Sequence, residues 1–256
     1  MARIEDKGDR LIIWNGNAAR RGALTPELYD CIARAMAQAE DPRIRAVILT
    51  SEGDFFCAGG DLNVLIERRN ISEPERREKV DDLHGLIRAM RACPVPLIAA
   101  VQGGAAGAGL SLALACDLIV SSKDAMFTAA YVKAGLVPDA GLTASLARSL
   151  PRPLAMEMCL LAHPVSAQRM ADLGVINAVV GTGATFAAAS DLADALSRGP
   201  RKAQGMIRRL VADAYETTEA AQLDAERDAM AHAAGGAEAG EGIAAFLEKR
   251  LPEFGA

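Results

Sequence analysis

Aromatic residues make up only 4% of this 256-residue chain. A core without large rings must close by packing small side chains and backbone directly together, and Ala and Gly are abundant here. No surplus of positive charge exists either: the net charge is −5, which argues against a nucleic-acid footprint. The five cysteines are odd in number and form no CxxC pair. That absence argues against a disulfide framework or a zinc site and suits a reducing compartment, so a cytoplasmic location is expected. The opening Met1-Ala-Arg-Ile-Glu-Asp-Lys lacks the apolar stretch of a signal peptide. One run, Ala92 to Cys116, carries no charge and is long enough to span a bilayer. Pro94, Pro96, Gln102 and its glycines interrupt it, so strand, loop and helix buried in a soluble core explain it better, and no membrane partner is expected.

What is present is a large apolar fraction, 51%, arranged as alternating short runs and helical patterns. Leu11 to Trp14, Ala46 to Thr50, Pro96 to Val101 and Asp117 to Ser121 read as strands. Thr25-Pro26 opens a helix to about Glu40, because Thr caps free N–H groups and Pro suits the first helical position. Another helix starts at Asp61, its expected cap. The charged stretch Glu67 to Lys79 is expected to be mobile, with a helix from Val80 to Ala92 after it. Beyond Ser166 the pattern turns mostly helical, ending in a helix from Ile243 to Arg250. The expected fold class is α/β, with a core at 1–195 and a helical C-terminal region at 196–256.

One device occurs twice in this core: a buried strand, a loop of small residues, then a helix start. The first is Ala46–Thr50 with Cys57-Ala-Gly-Gly60, and the second is Pro96–Val101 with Gly103–Gly109. Small residues let a ligand approach the backbone, and a helix start leaves N–H groups unpaired. Two such turns facing each other could hold one developing oxyanion. Neither loop matches G-x-G-x-x-G or G-x-x-x-x-G-K-[ST], so a nucleotide site is not indicated.

With these segments in order and spacing, the chain resembles the enoyl-CoA hydratase/isomerase (crotonase) family. The resemblance is carried by Ala46 to Thr50, Gly53-Asp-Phe-Phe-Cys-Ala-Gly-Gly-Asp-Leu62, Pro96 to Gly103, Gly107-Ala-Gly109 and Leu112 to Asp117. It extends through Gly135-Leu-Val-Pro-Asp-Ala-Gly141, Ala155 to Met158, Ser166 to Gln168 and Ala245 to Arg250. It implies a spiral of ββα units, homotrimers or dimers of trimers, and an acyl-CoA thioester as substrate, with coenzyme A its only cofactor-like part and no metal. By the same resemblance the oxyanion donors are the N–H groups of Gly60 and Ala108. Ala58 and Leu62 would meet the adenine, with Asp61 capping the helix between them and the next turn, and Arg21 would lie near the phosphates. Phe246 and Lys249 would reach the coenzyme A of a neighbouring subunit, or else serve as plain core and solvated charge.

The two glutamates with which family hydratases add water are absent: the positions hold Ser111 and Tyr131. One acid remains, Asp139, where isomerase-like members carry a proton between carbons; alternatively it caps the following helix. The leading expectation is therefore transfer of a β,γ double bond to α,β in an enoyl-CoA. The alternatives are a hydratase or another crotonase-type lyase or hydrolase, and a non-catalytic acyl-CoA-binding homologue. Members similar to aryl-CoA dehalogenases attack with an Asp here, with an indole donor at the Tyr131 position. Gly109-Leu-Ser-Leu-Ala113 falls one residue short of a G-x-S-x-G elbow, so Ser111 reads as a pocket wall. His84, on the helix that borders the acyl pocket in this family, could shape that pocket or assist proton transfer.

Overall fold

A computed structural model describes residues 1–255. The strands are β1 (Arg3–Asp6), β2 (Arg10–Asn15), β3 (Ala46–Ser51), β4 (Leu97–Val101), β5 (Gly104–Ala106), β6 (Leu118–Ser122), β7 (Met126–Thr128), β8 (Val165–Ser166) and β9 (Ala178–Val180). The helices are α1 (Pro26–Gln38), α2 (Leu62–Glu67), α3 (Glu73–Ala92), α4 (Ala108–Leu114), α5 (Leu142–Ser149), α6 (Arg152–Leu161), α7 (Ala167–Asp172), α8 (Thr185–Ser197), α9 (Arg201–Asp213), α10 (Glu219–Ala234) and α11 (Ala237–Glu248).

Six strands form one sheet in the order β1-β2-β3-β4-β6-β9, parallel from β2 onward. Its central strands are apolar because both faces are covered. In β3, Val47 and Leu49 point into the core beneath α1 and α3, while Ala46 and Ile48 pack toward Ala189 and Ala193 of α8. A second, three-stranded sheet runs β5-β7-β8. The chain alternates between the two: β4 leads to β5 and then α4, and β6 leads to β7 and then α5. Before them β3 leads to a bridge at Cys57, paired in parallel with Ala105 of β5, and then to α2. Successive turns therefore stack like a spiral of strand–strand–helix units.

Local sequence explains the helix starts. The Thr25 hydroxyl accepts from the Leu28 N–H at 3.2 Å, with Pro26 in the first helical position. α3 begins at Glu73, not at Val80 as the sequence reading expects. Ser72 and Glu75 form a reciprocal capping box around its first turn, and Pro74 sits within that turn. The charged stretch ends α2, makes a short turn at Arg68–Asn70 and then opens the solvent-facing start of one 20-residue helix. The expected loop from Gly103 to Gly109 contains β5, and α4 starts at Ala108 rather than Leu110. The last helix starts at Ala237, with Gly240 and Gly242 inside it rather than before it. The uncharged run Ala92–Cys116 resolves into β4, β5 and α4, and no described helix is long and apolar enough to cross a membrane.

Arg208 of α9 ties the C-terminal helices to the sheet. Its buried guanidinium bonds Asp117 and the main-chain carbonyls of Met90, Arg91 and Cys93 at the end of α3. Asp117 in turn accepts from the Leu97 N–H at 2.7 Å, so one ion pair joins α9, α3 and β4.

Candidate active site

Gly60 and Ala108 come together through strand register. Cys57 and Ala105 are bridge partners in parallel; three residues on, Gly60 lies just before the cap of α2 and Ala108 is the first residue of α4. The Ala106 N–H donates to the Cys57 carbonyl at 2.9 Å, which locks that register. Two glycines make the approach possible. A Cβ on Gly59, whose φ is +90°, would lie 2.8 Å from the Ala106 carbonyl oxygen and 3.1 Å from the Ala108 nitrogen. A Cβ on Gly109 would lie 2.2 Å from the Cys57 carbonyl oxygen. Among the described residues, neither the Gly60 nor the Ala108 N–H has a protein acceptor. Two free donors on adjacent turns can receive an anionic oxygen.

The opposite side of this cleft is built from side chains. The Tyr131 hydroxyl donates to Oδ1 of Asp139 at 2.7 Å, and its ring lies 3.9 Å from where a Gly107 Cβ would stand. Asp139 is therefore beside the Ala108 turn. Burial pushes the Tyr131 phenol above its ordinary value, and the Asp139 charge adds to the rise, so Tyr131 stays a neutral donor. The buried Ser111 hydroxyl donates to the Asp139 main-chain carbonyl at 3.3 Å. The Ala140 N–H donates to Nε2 of His84 at 3.1 Å. The capping alternative for Asp139 does not hold: Gly141 occupies the cap position of α5, and the Asp139 carboxylate is engaged by Tyr131 instead. Tyr29 of α1 belongs to the same neighbourhood. Burial pushes its phenol up to about 12, with the Arg68 charge opposing and the Asp139 charge adding. Tyr29 reads from sequence as one more residue of an amphipathic helix, and no local motif marks it.

The comparisons with known proteins agree with this architecture. The family model described as enoyl-CoA hydratase/isomerase matches residues 17–256. The chain belongs to that family. It is 36% identical to the 1,2-epoxyphenylacetyl-CoA isomerase of Escherichia coli (strain K12), over 92% of this chain and 90% of that protein. It is also 36% identical to a probable enoyl-CoA hydratase of Rhodobacter capsulatus, over 96% and 91%. A crystal structure of an enoyl-CoA hydratase from Polaromonas sp. JS666 superposes with a TM-score of 0.95 at 42% identity, covering 98% of each chain. The fold is accordingly the α/β crotonase-type spiral, and the chain is an acyl-CoA enzyme of the hydratase/isomerase type.

The remaining residues that the family resemblance singles out lie in distinct places. Arg21 has φ +50°; its guanidinium stacks 4.0 Å from the Phe55 ring centroid, and its carbonyl accepts from the Ala58 N–H at 2.9 Å. Asp61 caps α2 through the Asn63 N–H at 2.9 Å and pairs with Arg20. Leu62 is exposed beside it. Phe246 is 82% exposed on α11, so the core reading of that residue does not apply, and Lys249 follows as a left-handed helix cap. Cys57 is fully buried and its thiol is pushed up to about 12, which makes it a packing residue. Among the described residues, no cluster of three His, Cys, Asp or Glu side chains could hold a metal ion.

Proposed function

We propose that this family member shifts a β,γ double bond to the α,β position in an enoyl-CoA thioester, with Asp139 as the proton carrier. The observation that carries the reading is the Tyr131–Asp139 hydrogen bond beside the Ala108 turn, with Ser111 and Tyr131 standing where hydratases hold glutamates. Tyr131 fixes Oδ1, and among the described residues Oδ2 has no protein donor, so it is the oxygen left to take a proton. Oδ2 removes a proton from the α-carbon. The thioester oxygen becomes the anionic end of a dienolate and receives the N–H groups of Gly60 and Ala108. The same carboxyl returns the proton at the γ-carbon. One acid suffices if it reaches both carbons. Hydration would need a second group to orient water, and Ser111 spends its hydroxyl on a main-chain carbonyl. Two relatives of equal identity, 36%, are named 1,2-epoxyphenylacetyl-CoA isomerase and probable enoyl-CoA hydratase, so the reading rests on the site residues of this chain.

Around this chemistry, Ala58 and Leu62 are proposed to border the adenine and Arg21 the phosphates of coenzyme A. The exposed Phe246 and Lys249 are proposed to complete the site of a neighbouring subunit in a homotrimer or dimer of trimers.

The decisive experiment incubates the protein with a β,γ-enoyl-CoA in heavy-oxygen water and identifies the thioester by mass spectrometry. Formation of the α,β isomer without incorporated label is the expected result. A labelled hydroxyacyl product would make the enzyme a hydratase, and absence of any turnover would leave an acyl-CoA-binding homologue.

A further inference from the structure

We propose that His84 is a positioning residue: it holds the turn that aims Asp139, acting through the Ala140 amide. This rests on the reading of Asp139 as proton carrier. The peptide unit joining Asp139 to Ala140 is pinned at both ends by side chains from different helices. Its carbonyl accepts from the Ser111 hydroxyl of α4 at 3.3 Å, and its N–H donates to the His84 imidazole of α3 at 3.1 Å. That plane sets the direction in which the Asp139 side chain leaves the backbone. The Leu142 N–H closes the turn on the Asp139 carbonyl at 3.1 Å, but that bond leaves the Ala140 N–H without a partner inside the turn. Ala140 has φ +51° and Gly141 φ +73°, so two successive residues are left-handed, and the first carries a Cβ that disfavours this conformation. Ala140 is also buried, so its N–H has no water to fall back on. An acceptor reaching in from α3, 56 residues earlier in the chain, fills that need.

Imidazole suits the position because it accepts while neutral. A carboxylate there would place a second negative charge beside Asp139 and disfavour its ionised form. With Nε2 accepting, the ring proton sits on Nδ1, which faces Oδ1 of Asp81 at 4.0 Å.

The test compares His84→Leu, which removes the acceptor, with His84→Gln, whose amide oxygen can reach the position of Nε2. A third of the His84 side chain is exposed, so both variants are expected to fold. In His84→Leu, kcat for isomerisation should fall about tenfold or more while KM stays within about twofold, because aim rather than substrate contact is lost. Hydrogen exchange of the Ala140 amide should accelerate in the same variant. His84→Gln should recover both readouts. Unchanged kcat and exchange in His84→Leu, or a His84→Gln no better than His84→Leu, would overturn the proposal, as would a rise in KM alone. Asp139→Asn separates the two claims, because it should abolish turnover and leave the Ala140 amide protected. If the wild-type protein isomerises nothing, the reading of Asp139 fails, and amide exchange alone decides whether His84 holds the turn.

Discussion

The two sides of the cleft are made of different material. The side for the thioester oxygen is backbone: Gly60 and Ala108 contribute N–H groups, and the side chains around them are small so that the turns can close. The side proposed to carry the proton is side chain: Asp139, Tyr131, Ser111 and His84, brought from four separate segments and joined by hydrogen bonds of 2.7 to 3.3 Å. A backbone site depends on what its neighbours leave room for. A side-chain site depends on which atoms they carry. Substitutions that preserve volume should therefore spare the first and break the second, and substitutions that add volume should do the reverse.

The largest effect is expected from the side-chain half. Asp139→Asn keeps the volume and removes the proton carrier, and kcat for isomerisation should fall about 10²–10⁴-fold with binding of the thioester retained. Nearly as large, Gly109→Ala adds one methyl group to the backbone half. Its Cβ would stand 2.2 Å from the Cys57 carbonyl, so the turns must separate. Loss of one oxyanion donor corresponds to about 2.7–4 kcal/mol in the barrier, and thermal denaturation should show a lower midpoint as well. If Gly109→Ala kept the full rate, close approach of the two turns would not matter. Tyr131→Phe comes next. Removing a hydrogen bond to a charged group costs about 1.5–3 kcal/mol, so kcat should drop about 10- to 100-fold while the fold, judged by circular dichroism, is unchanged. A rate equal to wild type would show that Tyr131 is only a wall. The smallest effect tests the backbone half at Cys57. Burial raises this thiol to about 12, so at pH 8 it remains protonated and reacts slowly. Iodoacetamide at pH 8 should leave the rate unaltered, and inactivation traced to Cys57 would contradict the assignment of this loop to backbone chemistry.

How much could be read in advance follows the same division. The strands at Ala46 and Pro96, the Thr25 cap and the Asp61 cap are local patterns, and each appears within a residue or two of where sequence puts it. The start of α3 lay in plain view as Ser72-Glu-Pro-Glu75, yet the surrounding charge hid it, because a solvated helix and a mobile stretch share a composition. The helix α6 has no distinct signal in the sequence, and Gly240 and Gly242 read as a break although they lie inside α11, because tertiary contacts outweigh the modest helix cost of glycine. At the site, Gly60, Ala108 and Asp139 are singled out by the family resemblance. The partner of Asp139, its loss of the capping role, and the contact between His84 and Ala140 had no signal in any one segment.

By itself the sequence determined the α/β class and the two small-residue turns, because each is a property of neighbouring residues; the family resemblance adds that Ser111 and Tyr131 stand where hydratases carry glutamates. The tertiary structure alone decided that the Cys57 and Ala105 turns run side by side, and that Tyr131 turns its hydroxyl to Asp139. It also decided that an imidazole from α3 holds a left-handed alanine in place. Those relations join residues far apart in the chain. Their distances are set by how sheets and helices pack, not by spacing along the backbone.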